Sequence, residues 1–200
     1  IFENITRKGR RMNNLVIVRG GGDIATGTIC KLYNSGFQVL VLEIESPSAI
    51  RRHVAFSEAV YEGTQTVEGI TCFLANDLAD AKKLLEQGKL TMLVDSEGAC
   101  ISTLKPCAVV DAILAKKNLG TTRDMADIVI GLGPGFHAGR DVDVVIETMR
   151  GHNLGRIIYE GPAEGNTGIP GVIAGYGKER VIRCPGAGIF KNIHKIGDVV

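Results

Sequence analysis

Short runs of consecutive apolar residues alternate along this chain with segments in which apolar residues recur every three or four positions. Leu15-Val-Ile-Val18 is apolar at every position, the pattern of a strand covered on both faces. After Gly20-Gly-Gly22, the residues Ala25, Ile29, Leu32 and Tyr33 share one face of a helix. Gly36 stands where a helix ends in a left-handed residue. Val39–Leu42 repeats the buried-strand pattern. Strand, glycine turn, helix, glycine and strand predict a βαβ unit with a right-handed crossover and a parallel sheet.

Glu45 to Gly63 has no period. Val67–Leu74 reads as a strand interrupted at Gly69. Asn76 or Asp77 is placed to cap a helix that buries Leu78, Ala81 and Leu85 and ends at Gly88. Thr91–Asp95 is the next strand, so residues 14–95 have the doubly wound pattern. The second half differs. Val109, Ile113 and Leu114 have helical spacing within 109–117. Strands are expected at Ile128–Ile130, Val142–Ile146, Ile157–Tyr159 and Val181–Arg183, separated by glycine-rich turns. The expected class is α/β: a basic tail at 1–13, a Rossmann-like parallel sheet at 14–104, and a β-rich α/β region at 105–184.

Composition narrows the function. With 23 Lys+Arg against 22 Asp+Glu, the net charge is +1, which argues against a nucleic-acid binder. Aromatic residues are 5% with no Trp, so a base-stacking platform is disfavoured too. No apolar run is long enough to span a membrane. Five widely spaced cysteines without a C-x-x-C motif argue against a disulfide framework or a structural zinc site. No apolar signal segment opens the chain. These features predict a reduced, cytoplasmic protein without a metal. Arg7, Lys8, Arg10 and Arg11 read as a solvated extension rather than a binding arm.

The strongest chemical signal is Gly20-Gly21-Gly22-Asp23-Ile24-Ala25, a G-x-G-x-x-A turn between a strand and a helix. Gly20 permits the tight turn, Gly22 lets the backbone approach a pyrophosphate, and Ala25 lets the helix pack close. The helix N-terminus then offers N–H groups to an anion. Asp23 opposes this unless its carboxylate points away. The alternative is a strand–helix turn without a ligand.

A ribose partner is expected about 20 residues on, and Glu43 or Glu45 meets that spacing on one strand face. Arg51 and Arg52 are placed to meet a 2′-phosphate or another anion. The turn Gly131-Leu-Gly133-Pro-Gly135-Phe136 and the residues Asn166 and Thr167 are candidates for the same cleft. The cofactor expected there is NAD(P) or another nucleotide. His137, His152 and Asp95 are the candidate acids or bases, though no motif pairs them. Cys100 and Cys107 are either buried or reactive thiols.

Several stretches resemble a known family. They are Val18-Arg-Gly-Gly-Gly-Asp-Ile-Ala-Thr-Gly27, Ser48-Ala-Ile-Arg-Arg52, Phe56-Ser-Glu-Ala59 and Asp111-Ala-Ile-Leu-Ala-Lys-Lys-Asn118. Gly131–Phe136, Val145-Ile-Glu-Thr-Met-Arg-Gly-His152 and Asn166-Thr-Gly-Ile-Pro-Gly171 belong to the same set. Together they resemble accessory proteins of the selenium-dependent molybdenum hydroxylase system. The resemblance implies a role in maturing such a hydroxylase, which would be the partner. It also implies a longer protein: Phe190 to Val200 resembles the opening of a biotinyl-lipoyl-like module, placed at 185–200 and cut short at Val200. Two rival readings stand beside it, a free-standing NAD(P)-dependent oxidoreductase and a non-catalytic scaffold that docks on the hydroxylase.

Overall fold

The computed structural model describes residues 14–165, 168, 171–188, 191, 193–194 and 197–199. The basic tail lies outside them, as do residues 189, 190, 192, 195, 196 and 200 of the expected C-terminal module. Contacts divide the chain into two units, 1–166 and 167–200.

The first unit is a mixed α/β fold around one large, mostly parallel sheet. Its strands are β1 (Leu15–Arg19), β2 (Gln38–Glu43), β3 (Thr64–Val67), β4 (Ile70–Ala75), β5 (Leu90–Val94), β6 (Ala108–Asp111), β7 (Ile128–Leu132), β9 (Val144–Ile146) and β10 (Ile157–Ile158). The spatial order is β10-β9-β7-β6-β1-β2-β5-β4-β3. All neighbours are parallel except the two edge strands, β3 against β4 and β10 against β9. A ribbon of β8 (His137–Ala138) and β11 (Gly161–Pro162) lies apart from the sheet.

Alternation along the central strands builds two cores. Leu15, Ile17, Leu40 and Leu42 face one side with Ala81 and Leu85 of α3 (Leu78–Glu86) and Ile101 of α4 (Cys100–Leu104). Val16, Val18, Val39 and Val41 face the other with Ala25 and Ile29 of α1 (Asp23–Asn34). Phe56 and Ala59, the latter opening α2 (Ala59–Glu62), join that side. Both faces are covered, which is why these strands read as unbroken apolar runs. No helix among the described residues is long and apolar enough to cross a membrane.

The chain steps outward from β1 to β2, then returns across the sheet to place β6 on the other side of β1. The direction of the chain across the sheet thus reverses between β1 and β6, and in such sheets ligands bind outside the carboxyl ends of the strands near that point.

Four expectations need correction. Gly69 does not interrupt a strand: Glu68 and Gly69, both at positive φ (50° and 75°), form a two-residue turn between β3 and β4. Residues 109–117 are not helical, because Val109 lies in β6 while Leu114 and Lys116 adopt φ of 59° and 63°. The sheet crosses residue 105 without a break, since β6 pairs with β1, so no boundary falls there. Val181–Arg183 forms no strand. It belongs to the second unit, whose described residues hold a bridge between Ile173 and Tyr176 and a 3₁₀ turn at Lys178–Arg180.

The β3–β4 turn carries a cost that asparagine would lower, because Asn tolerates left-handed φ better than Glu does. Glu68→Asn is expected to stabilise the fold by about 0.5–1 kcal/mol. The check is an upward shift of the urea midpoint at unchanged m-value.

Candidate functional site

The β1–α1 turn is held from three directions. Gly20 has φ +93°, and a Cβ there would lie 2.9 Å from Ile113 Cα. Gly21 is buried, and a Cβ would lie 2.8 Å from Met92 Cε. Its N–H donates to Glu43 Oε2 (2.8 Å) and its carbonyl accepts from Ser57 N–H (2.8 Å). Gly22 differs from both. Its φ is −63°, and a Cβ there would meet nothing within 4 Å. Chain packing requires the first glycine, crowds the second and leaves the space over the third open.

Gly22 is the N-cap of α1 and has no side-chain cap. Ala25 is fully buried, as close helix–sheet packing requires. Asp23 accepts from the Ile24 N–H (2.9 Å) and pairs with the Arg51 guanidinium. Its carboxylate therefore stays at the helix start but is neutralised there. Arg52 pairs with Glu58 (2.6 Å), a residue 7% exposed. Both arginines proposed for a phosphate are thus engaged by carboxylates. The segment carrying them is tied down by Phe56 N–H donating to Thr26 Oγ1 (3.0 Å). Ser57 Oγ in the same segment is buried without a hydrogen-bond partner among the described residues.

Beside the turn is a crevice lined by Arg19, Gly20, Leu42, Glu43, Ile44, Asp95, Ser96 and Ile113. Glu43 is half-buried, and its other oxygen accepts from Ile44 N–H (2.8 Å). Glu45 is exposed beyond the strand end and does not line the crevice. Asp95 accepts from Ala99 N–H (3.0 Å) and Cys100 N–H (2.9 Å), starting α4. Burial pushes its carboxyl upward, but the N–H groups of Cys100 and Ala99, the Cys100 thiol and the Gly98 N–H outweigh that and hold it below the ordinary range.

The floor of the crevice is a buried charge network that sequence reading missed. Arg19 ends β1 and Asp111 ends β6; their closest atoms are 3.7 Å apart, and both side chains are almost fully buried. Thr121 joins them, accepting from Arg19 Nη1 (2.5 Å) and donating to Asp111 Oδ2 (2.5 Å). Arg19 Nη2 donates to the carbonyls of Ser96 (3.1 Å) and Leu119 (3.3 Å). The available signal was a charged residue closing an apolar strand, at Arg19 and again at Asp111.

Gly131 lies within β7, and Gly133 and Gly135 follow its carboxyl end, on the same side of the sheet as Gly20. Packing accounts for all three. A Cβ would lie 2.5 Å from the Phe136 ring at Gly131, 2.5 Å from Thr148 Oγ1 at Gly133, and 2.7 Å from Lys117 N at Gly135. The loop after β6 spans the two turns, touching Gly20 through Ile113 and Gly133 through Leu114. Asn166 and Thr167 lie outside the described residues.

The three acid–base candidates are not brought together. His137 Nδ1 contacts Ala138 O (3.0 Å), and its backbone N–H donates to Asp141 (2.9 Å). His152 is exposed in the loop after β9. Asp95 follows β5, which is five strand positions from β9, about 24 Å at ~4.8 Å per strand. Among the described residues no group of three or more His, Cys, Asp or Glu side chains could hold a metal ion.

A second buried carboxylate, Glu147, secures the loop that carries His152. It is 2% exposed and accepts from Met149 N–H (2.7 Å) and Glu164 N–H (2.8 Å). Burial pushes its carboxyl upward, and N–H donation from Glu164, Met149 and Thr148 outweighs burial and holds it below the ordinary glutamate range.

Four of the five thiols are held in the neutral form by burial. Burial pushes Cys100 up to about 12, aided by its contact with Asp95. Burial also raises Cys107, Cys72 and Cys30.

A curated relative aligns over 188 residues at 53% identity: "Uncharacterized protein YqeB" of Escherichia coli (strain K12). The alignment covers 94% of this chain and 35% of the relative, so the chain spans about a third of that protein's length. No family model matches, and no solved structure matches.

Two predictions follow from these environments. Glu147→Gln is expected to cost about 1.5–3 kcal/mol at pH 7, the scale of hydrogen bonds to a charged group. The folded-state value is depressed, so the contribution is present above the unfolded value of about 4.3 and fades as pH falls through the folded one. Urea midpoints of wild type and variant should therefore stay apart from pH 7 down to about pH 4.3 and converge only below it. For the thiols, iodoacetamide at pH 8 is expected to label the exposed Cys184 first and to leave Cys72 and Cys100 unlabelled in the folded chain. Peptide mass mapping reads this, and early labelling of Cys100 contradicts it.

Proposed function

We propose that this chain is the nucleotide-binding part of an accessory protein that matures a selenium-dependent molybdenum hydroxylase. The observation that carries the binding half is Gly22, whose identity the packing does not require although it starts α1 beside the crevice. A glycine in ordinary backbone conformation, with open space over it, suits a site where a diphosphate comes close to the main chain. The strand order around β1 supports a Rossmann-like reading: β5-β2-β1-β6-β7-β9 repeats the 3-2-1-4-5-6 order of dinucleotide-binding sheets.

The maturation half rests on the sequence resemblance. A free-standing NAD(P)-dependent oxidoreductase needs an acid or base beside the nicotinamide; of the three candidates Asp95 alone lines the crevice, and its carboxylate is engaged in starting α4. The chain would then present a bound nucleotide to its hydroxylase partner or use it in handling the cofactor or its selenium ligand.

Thermal shift against a nucleotide panel tests the binding half. A ligand at 100 times its dissociation constant adds about 2.7 kcal/mol, which for a fold of this size raises Tm by about 5–10 °C. Gly22→Val is expected to fold with a loss of at most about 1 kcal/mol at the N-cap and to lose the ligand-induced shift. In cells it is expected to abolish hydroxylase activity while the hydroxylase still copurifies. Retained activity would favour the non-catalytic scaffold instead.

A further inference from the structure

We propose that the carboxyl side of the sheet is the contact between two copies of this chain, paired about a two-fold axis. The inference stands apart from the nucleotide reading. It comes from how unpaired charge is divided along that side. β1 is the middle one of the seven parallel strands. In one direction, the carboxyl ends of β2, β4 and β5 carry Glu43, Glu45, Asp77, Asp95 and Glu97. In the other, the loops after β6 and β9 carry Lys116, Lys117, Arg150 and Arg156, all exposed. Among the described residues none of these nine forms an ion pair. The other charges there change this little. Arg19, Arg51 and Arg52 are balanced by Asp111, Asp23 and Glu58. Glu147 is buried, and Glu164 is an exposed carboxylate on the basic half, bonded to Asn153 (3.2 Å).

Folding brings the two basic loops together. A Cβ on Gly135 would lie 2.7 Å from Lys117 N, and one on Gly133 2.5 Å from Thr148 Oγ1. The loop after β7 therefore bridges the lysines and the start of the β9 loop. Glu147 N–H donates to Arg156 O (2.9 Å) and Gly155 N–H to Glu147 O (2.8 Å), which closes that loop at its base. A surface divided in this way is complementary to itself. Rotation by half a turn about the end of β1 sets each acidic half over the basic half of the other copy. Such a contact uses one surface twice and closes on itself. Ile44 and Leu119, 48% and 43% exposed, lie near the axis and supply apolar contact at its centre. Exposed charge pairs are screened by salt, so the contact is salt-sensitive.

Sedimentation velocity of the full chain at micromolar concentration tests this. In about 0.1 M NaCl the expected mass is twice the 21.3 kDa of one chain. In about 1 M NaCl the screening length falls from about 10 to about 3 Å, and the dissociation constant is expected to rise at least tenfold. Two double variants at exposed sites separate charge from folding: Lys117→Glu with Arg150→Glu, and Glu45→Lys with Glu97→Lys. Each alone sets like charges against each other at both contacts and is expected to stay monomeric. Mixed in equal amounts they are expected to restore the dimer, because a wholly acidic side then meets a wholly basic one. A wild-type chain that is monomeric in the low-salt buffer overturns the proposal and leaves this side to a different partner. A dimer that both double variants leave intact overturns it too, since its contact lies elsewhere. Failure of the mixture to dimerise overturns the two-fold pairing.

Discussion

The crevice depends on one buried interaction, the Arg19–Thr121–Asp111 cluster. Arg19 and Asp111 close the two central strands on either side of the point where the chain changes direction across the sheet. The cluster binds two loops to that point: the one after β5 through Ser96, and the long β6–β7 connection at two places, Leu119 and Thr121. Removing one partner of a buried ion pair typically costs about 3–5 kcal/mol, because the other charge is left uncompensated. Here the loss would also release the segment that packs on Gly20. The positions of Glu43 and Asp95 across the crevice follow from the same arrangement, since Asp95 N–H donates to the Glu43 carbonyl (3.0 Å).

Elements that depend on local pattern could be read from the sequence. The runs at 15–18 and 39–42 and the stripe through Ala25 and Ile29 specify β1, β2 and α1, because each repeats the period of its own structure. Asp77 caps α3 as expected, accepting from Asp80 N–H (2.7 Å). What could not be read depends on distant partners. Arg19 meets Thr121 across 102 positions, and nothing near either residue marks the pairing. The five residues of α4 are too few for a helical period to stand out, and its start is set by Asp95 from outside the helix.

The glycines divide along the same line. A cluster of turn glycines after a strand reads alike whether the chain or a ligand needs the space. At Gly131, Gly133 and Gly135 the chain needs it, for Phe136, Thr148 and Lys117. A ligand reading of that loop gains nothing from its glycines, although the loop shares a sheet edge with β1. At Gly20 and Gly21 the β6 loop and Met92 fill the space. Only the environment separates these cases, and in the β1–α1 turn Gly22 is the position left open.

Charge at the turn makes the same distinction from the other direction. Asp23 at a helix start looks hostile to an anion in sequence, and Arg51 looks welcoming. Folding joins them, so neither acts alone. The Asp23 carboxylate already accepts an N–H at the start of α1, the kind of donor a phosphate would use. A diphosphate approaching Gly22 would therefore meet a neutral pair rather than a bare negative charge. Arg51 is 63% exposed in this pair. Arg52 is held against the buried Glu58. The two arginines thus differ in kind: the Asp23–Arg51 pair is an exposed neutral pair at the helix start, whereas Arg52 is fixed against a buried carboxylate.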